Sequence, residues 1–374
     1  MLIVLVLVYL FFVIRTKGGM FSPSSFSELI NQNAYVYILG CGMLMCILTG
    51  GNIDLSVGSF VCLLCAFGGI FLTIKNMGIA VSIGAMLGIA LVYGVILGFL
   101  IAYVRIPPWI ATLAGYLAFR GWGTSILLSN SDTGSLHFPS KFCSIFYGRI
   151  FKTNPGVFNV PCFVVGVVAA VLIIVLAITN RSSRVRKGYE VDTLGYTLLK
   201  AGLEGAAILL VMYKLSYDGG IPTTLLWVAG VIIIYSFITS KTTIGRHFYV
   251  VGGNIEAARL SGINTRRVMF LAYLNMAFLS CVAAMTVVSR NQAAIADLGK
   301  NFEMDAISAC FVGGVSTSGG AGTVLGMVIG ATLIGVINLG MSLISLDANW
   351  QRVIKGIVLL AAVVFDILSK KREK

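Results

Sequence analysis

Long apolar runs alternate with short polar interruptions along the whole chain. Residues 34–49, 55–74, 78–104, 109–128, 160–178, 201–213, 222–239, 268–289, 304–315, 323–345 and 353–368 are each predominantly apolar. Runs near 20 residues have the length of a helix that crosses a hydrocarbon layer, and the shorter ones suit half-spans or re-entrant segments. Residues 1–14 are also apolar and are followed by Arg15 and Lys17. With no basic leader and no small-residue cleavage site, they read as a first transmembrane helix whose cytoplasmic leader is missing, not as a signal peptide. The pattern predicts an all-α, polytopic membrane protein with ten to twelve transmembrane helices in a single domain, residues 1–374.

Two interruptions stand out. Gly50-Gly51-Asn52-Ile53-Asp54-Leu55-Ser56 breaks the first half of the chain, and Gly313-Gly314-Val315-Ser316-Thr317-Ser318-Gly319-Gly320 breaks the second. Each gives way to a Gly-rich apolar run, a weak pseudo-repeat of residues 34–179 and 201–368. Paired Gly-interrupted segments point to a transport pathway at Asn52, Asp54, Ser56, Gly313, Gly314 and Ser316. The same glycines also let helices pack closely, and both readings stand together.

Composition sharpens this picture. Hydrophobic residues make up 58% and charged residues 11% of the chain, against about 25% charged in soluble domains, so a water-facing globular protein is excluded. The net charge of +13 lies between apolar runs instead of forming a nucleic-acid footprint. Segments 181–187, 241–267 and 370–374 together carry more Lys and Arg than the loops expected outside. That bias puts the 241–267 loop and the C-terminus in the cytoplasm. Of eight cysteines, only Cys143 falls in a polar loop; Cys62-x-x-Cys65 encloses Leu63 and Leu64 and reads as packing, not redox or metal chemistry.

Few residues could carry chemistry. Asp54, an acid amid apolar sequence, either borders a pathway or caps the helix that follows by accepting backbone N–H bonds. Arg120 and Lys355 lie within spans and are expected to snorkel towards an interface. Trp109, Trp227 and Trp350 sit near span ends, as an interfacial belt would place them. In the 241–267 loop, Asn254 can cap a short helix, Glu256 suits its first turn and Gly262 its end. No Walker-type phosphate loop, nucleophile elbow, zinc signature or carboxylate pair occurs. The chain is therefore read as non-catalytic, with no catalytic or metal-binding residues.

At Ile53-Asp54-Leu55-Ser56-Val57-Gly58-Ser59 the chain resembles the permease subunit of bacterial ABC importers for monosaccharides, the ribose, xylose and multiple-sugar branch. The likeness continues through Pro107-Pro108, Ile110-Ala111-Thr112-Leu113-Ala114-Gly115, Phe119-Arg120-Gly121, Gly245-Arg246, Gly252-Gly253-Asn254, Asp305-Ala306-Ile307, Gly313-Gly314 and Lys355-Gly356. The long polar connection at 129–159, expected outside, and the insertion at 181–200 are most similar to the xylose and multiple-sugar type. Glu256, Ala257, Ala258 and Gly262, with Arg259 between them, match the coupling signature of such permeases, although its downstream Leu-Pro is absent. The resemblance implies two permease copies in the bacterial inner membrane, an ATP-binding subunit that carries ATP and Mg²⁺, and an external sugar-binding protein. Membrane lipid is the remaining partner, and no cofactor is expected on this chain. An ion-coupled secondary sugar transporter is the alternative on chemistry alone.

Overall fold

The computed structural model describes residues 1–372; Lys374, within the expected cytoplasmic tail, lies outside them. Fifteen helices follow one another: α1 (Leu2–Arg15), α2 (Pro23–Leu48), α3 (Val57–Gly69), α4 (Ile79–Ala102), α5 (Pro108–Asn130), α6 (Ser140–Phe146), α7 (Val160–Arg186), α8 (Leu194–Tyr217), α9 (Thr223–Lys241), α10 (Thr243–Gly253), α11 (Ile255–Leu260), α12 (Thr265–Asn291), α13 (Phe302–Val312), α14 (Val324–Leu343) and α15 (Ala348–Arg372). Two short antiparallel ladders tie loops together. β1 (Ser135–His137) pairs with β4 (Ala293–Ile295), and β2 (Arg149–Ile150) with β3 (Ile221–Pro222).

Local signals account for many helix starts. Ser22, Asn159, Thr242, Asn254, Asn264 and Thr323 each accept a backbone N–H from the first turn of the helix they precede. Pro23 and Pro108 stand at first positions, where a missing N–H costs nothing.

Among the described residues, eight helices (α2, α3 with its π-helical extension to Ile74, α4, α7, α8, α9, α12 and α14) are long and apolar enough to cross a membrane. That is fewer than the expected ten to twelve. Helix α1 has only 14 residues, α5 carries Arg120 and a polar end, and α13 has 11 residues. At about 1.5 Å per residue α13 is roughly 16 Å long, half of a ~30 Å hydrocarbon core. It is a discontinuous segment of the kind anticipated.

The core is built on α2, with 78% of its apolar window buried, together with α3, α12 and α14. Helices α7 and α8 form a hairpin at the margin, 17% and 11% buried, and their apolar side chains face outward as lipid-facing helices require. Gly94 and Gly98, one turn apart on α4, bring that helix against Leu274 and Phe270 of α12, the close approach that small residues permit.

Several expectations change. Helix α2 begins at Pro23, so the polar Asn31, Gln32 and Asn33, which precede the apolar run 34–49, lie within it. Asn33 is buried and donates to the carbonyl of Ala331 at 2.7 Å. Cys143 is buried too, because α6 folds the supposed polar loop onto the core. All eight cysteines are free and buried.

Candidate functional site

The first helix break is held by side chains close to it. Thr49 Oγ1 donates to the carbonyl of Cys46, Asn52 Nδ2 donates to that of Thr49, and Gly50 and Gly51 both take positive φ. Asp54 is buried, and its Oδ1 accepts the backbone N–H of Ser56 at 2.8 Å and its hydroxyl at 2.6 Å. Ser56 Oγ in turn lies 2.8 Å from Tyr93 Oη on α4. Helix α3 starts at Val57, not Leu55, so Asp54 closes a turn just before the helix instead of bonding its first turn.

Start-to-start packing joins this helix to the second discontinuous one. A side chain at Gly58 would strike Glu303 and the carbonyl of Gly299, so α3 and α13 approach as bare backbone. At its other end α13 closes at Gly313, which lies against Gly326 of α14. The loop that follows folds on itself through Ser316 N to the Ala321 carbonyl, 2.9 Å, and Ser316 Oγ to Ser318 Oγ, 3.0 Å; Gly314 takes φ +83°.

The two breaks meet, and a third glycine pair joins them. Gly320 N donates to the carbonyl of Leu48 at 3.2 Å. A Cβ on Gly319 would lie 2.5 Å from Gly50 N, one on Gly320 2.6 Å from Gly253 N, and one on Gly252 would overlap the Leu48 carbonyl. Tyr249 Oη on α10 donates to the carbonyl of Gly322 at 2.9 Å. Three turns from distant parts of the chain therefore share one backbone junction. The first two are visible as paired glycine interruptions in the sequence; the third depends on contacts that only the fold creates.

Helix α11 leaves this junction directly. Asn254 Oδ1 accepts the N–H groups of Glu256 and Ala257, each at 3.0 Å, and Gly262 takes φ +78°. Ala258 is buried, while Glu256, Ala257, Arg259 and Leu260 face outward. Glu256 and Arg259 pair at 3.5 Å with both side chains mostly exposed, which holds the helix only weakly. Arg105 and Arg266 flank Arg259 around a shallow depression.

The opposite end of α12, about 40 Å away along 27 residues, holds a half-open cavity of ≈ 260 Å³ with a mixed polar and apolar lining. Asn31, Gln32 and Tyr35 line it from α2, Arg290 and Asn291 from α12, Asn338 from α14, and Gln351 and Lys355 from α15. Phe302 stacks on Tyr35 with ring centroids 3.7 Å apart. Tyr35 Oη and Lys355 Nζ both donate to Asp305 Oδ2, at 2.5 and 3.0 Å.

Neither of the two cations within the spans snorkels as expected. Lys355 is paired with Asp305, and Arg120 Nη1 donates to the carbonyls of Ala296 and Leu298 at 3.1 and 2.8 Å. The loop after β4 folds inward and supplies those acceptors. One signal for the cavity was present in the sequence: Asn31, Gln32 and Tyr35 share a helical face once α2 is extended. Among the described residues, no cluster of three or more His, Cys, Asp or Glu could hold a metal.

Eight apolar helices of spanning length, a half-length helix and paired glycine breaks are the marks of a helical membrane transport protein. Residues 25–363 match the family described as branched-chain amino acid transport system / permease component, and the chain belongs to that family. It is 35% identical over 372 residues to the xylose transport system permease protein of Haemophilus influenzae, covering all of this chain and 96% of that protein. The Escherichia coli K12 xylose permease is 31% identical over 373 residues, covering all of this chain and 92% of that protein. The ribose import permease of Bacillus subtilis is 31% identical over 345 residues, 92% of this chain and 85% of that protein. No solved structure matches the chain.

Proposed function

We propose that this chain is the membrane permease subunit of an ATP-driven ABC importer of monosaccharides, with pentoses such as xylose as first candidates. It works as a homodimer, with ATP and Mg²⁺ held by a separate ATP-binding subunit and sugar delivered by an external binding protein. The chain itself is a non-catalytic, multi-pass protein of the inner membrane. The observation that carries the reading is the junction of Gly50–Gly51, Gly252–Gly253 and Gly319–Gly320, from which the exposed helix α11 emerges.

An ATP-binding subunit docked on Glu256, Ala257, Arg259 and Leu260 would push on α11, with Ala258 and Gly262 fixing its seat. Because α10 and both breaks touch there through backbone atoms, the displacement passes to α3 and α13 with little give. Asn52, Asp54 and Ser56 then border the moving side of the first break, and Gly313, Gly314 and Ser316 that of the second. Orientation follows from charge. The basic segment 181–187, the α10–α11 connection and the end of α15 are brought to one end of the molecule by the alternation of α7, α8 and α9 and by the Asp366–Thr317 bond. A cytoplasmic face is read from that concentration of Lys and Arg.

The relatives named for xylose and ribose favour a sugar over the amino acids in the family description. Reconstitution with an ATP-binding subunit and an external sugar-binding protein that co-purify with this chain tests the whole reading. Uptake of labelled D-xylose is expected to require ATP and the binding protein. Uptake that ignores ATP and collapses with a proton or sodium gradient would establish the secondary-transporter alternative instead.

A further inference from the structure

We infer that the cavity between α2, α12, α14 and α15 is a solute-holding station within the permease, taking one uncharged monosaccharide ring and rejecting zwitterions and disaccharides. Selectivity then does not reside in the external binding protein alone. The inference rests on the importer reading and adds a site to it.

Donor chemistry is the first support. Amide side chains dominate the polar lining, and an amide both donates and accepts, as a sugar hydroxyl does. Asn338 is 8% exposed, and its Oδ1 is buried with no hydrogen-bond partner. Asn31 Oδ1 is in the same position. Buried acceptors without partners carry an energetic cost; both oxygens are turned away from the open space, so each amide must rotate to meet a hydroxyl there, and that cost favours the rotation. Tyr35 and Phe302 add aromatic surface to the wall for the C–H face of a ring.

Charge is the second. Each ionic group lining the cavity already has a partner in the chain: Lys355 with Asp305, Arg290 with Glu28, and Asp297 with Lys300. An amino acid needs a cation for its carboxylate and an acceptor for its ammonium group, and here it would have to compete with those partners for both, which an uncharged ring does not. Volume is the third. The ≈ 260 Å³ available lies just below the range of about 300–1,000 Å³ for drug-sized ligands, which suits one small ring better than two.

Saturation-transfer NMR on the full-length permease in lipid nanodiscs tests this, with D-xylose, L-leucine and maltose as probes. Xylose signals are expected from the wild type, and none from leucine or maltose. Asn338→Leu and Gln351→Leu are each expected to lower the xylose signal at least fivefold. Asn31→Asp, which keeps the side-chain shape and adds a charge, is expected to do the same, so a variant that fails to accumulate leaves the others to decide. Xylose signals unchanged in the variants, or leucine signals equal to those of xylose, would overturn the inference. ATP-driven xylose uptake by the assembled importer without any such binding would overturn it too, while leaving the importer reading intact. ATP-driven uptake of leucine in place of xylose would instead remove the sugar reading itself.

Discussion

Lys355 on α15 reaches Asp305 on α13 across 3.0 Å, and the same helix holds the loop beyond α13 through Asp366, which accepts the Thr317 hydroxyl at 2.9 Å. Lys355 and Asp366 are eleven positions apart, about 16 Å along a helix, the same as the length of α13. Helix α15 therefore grips both ends of the discontinuous segment, one at the polar cavity and one beside the glycine junction. A displacement at the junction cannot move α13 without loading the ion pair at the cavity.

That ion pair can be tested on its own. Asp305 is almost fully buried and Lys355 largely so, and removing one member strands a charge. Lys355→Met is expected to cost about 3 kcal/mol, read as a lower melting midpoint of the purified permease. The double variant Lys355→Met/Asp305→Asn is expected to recover most of that loss, since Tyr35 still supplies a donor to the amide oxygen. A double variant no more stable than the single would show that the pair holds nothing together.

Adjacent glycines at the junction make opposite predictions. A methyl at Gly252 would collide with the Leu48 carbonyl and crowd Gly320 N, whereas one at Gly253 meets nothing within 4 Å. Gly252→Ala is expected to destabilise by about 1–3 kcal/mol, as overpacking does, and to reduce uptake by at least tenfold. Gly253→Ala is expected to be neutral or stabilising by up to about 1 kcal/mol. Equal behaviour of the two variants in melting and uptake assays would contradict the close packing of the three turns.

Helix α11 was legible because its signals are local: Asn254, Glu256 and Gly262 lie within nine residues and each acts on its nearest backbone. The apolar spans and both breaks were legible for the same reason. What was hidden depended on partners far along the chain. Lys355 read as a snorkelling cation because Asp305 lies 50 residues away, and Arg120 because its carbonyl acceptors lie 176 and 178 residues away. Asn31–Asn33 fell outside the apolar run 34–49 because polarity normally marks a helix end in a membrane. Here Asn31 and Gln32 line a cavity and Asn33 bonds the carbonyl of Ala331, so their polarity serves contacts within the protein.

Asp54 separates a structural acid from a titrating one. Its Oδ1 only accepts, from Ser56 N and Ser56 Oγ, and an asparagine oxygen can do the same. Asp54→Asn is expected to retain at least half of the wild-type uptake in the reconstituted importer. Asp54→Ala leaves the Ser56 N–H without its acceptor and is expected to cost about 1–2 kcal/mol, with a matching fall in yield. Inactive Asp54→Asn protein that inserts and melts normally would mean that the carboxylate charge itself is needed, which favours the ion-coupled alternative.

Coupling is tested where the helix is most exposed. Glu256 takes part in only a solvent-exposed pair with Arg259, so Glu256→Arg is expected to change stability by less than about 0.5 kcal/mol. Reversing a charge on the outward face should nevertheless abolish docking, because like charges across an interface cost several kcal/mol. The expected result is normal insertion and melting, loss of co-purification with the ATP-binding subunit, and at least a tenfold loss of ATP-driven uptake. Leu260→Ala, which removes a side chain 89% exposed in the isolated chain, is expected to weaken co-purification without altering the melting midpoint. If both variants retain full co-purification and uptake, α11 is not the docking element, and the glycine junction must receive its motion from another surface.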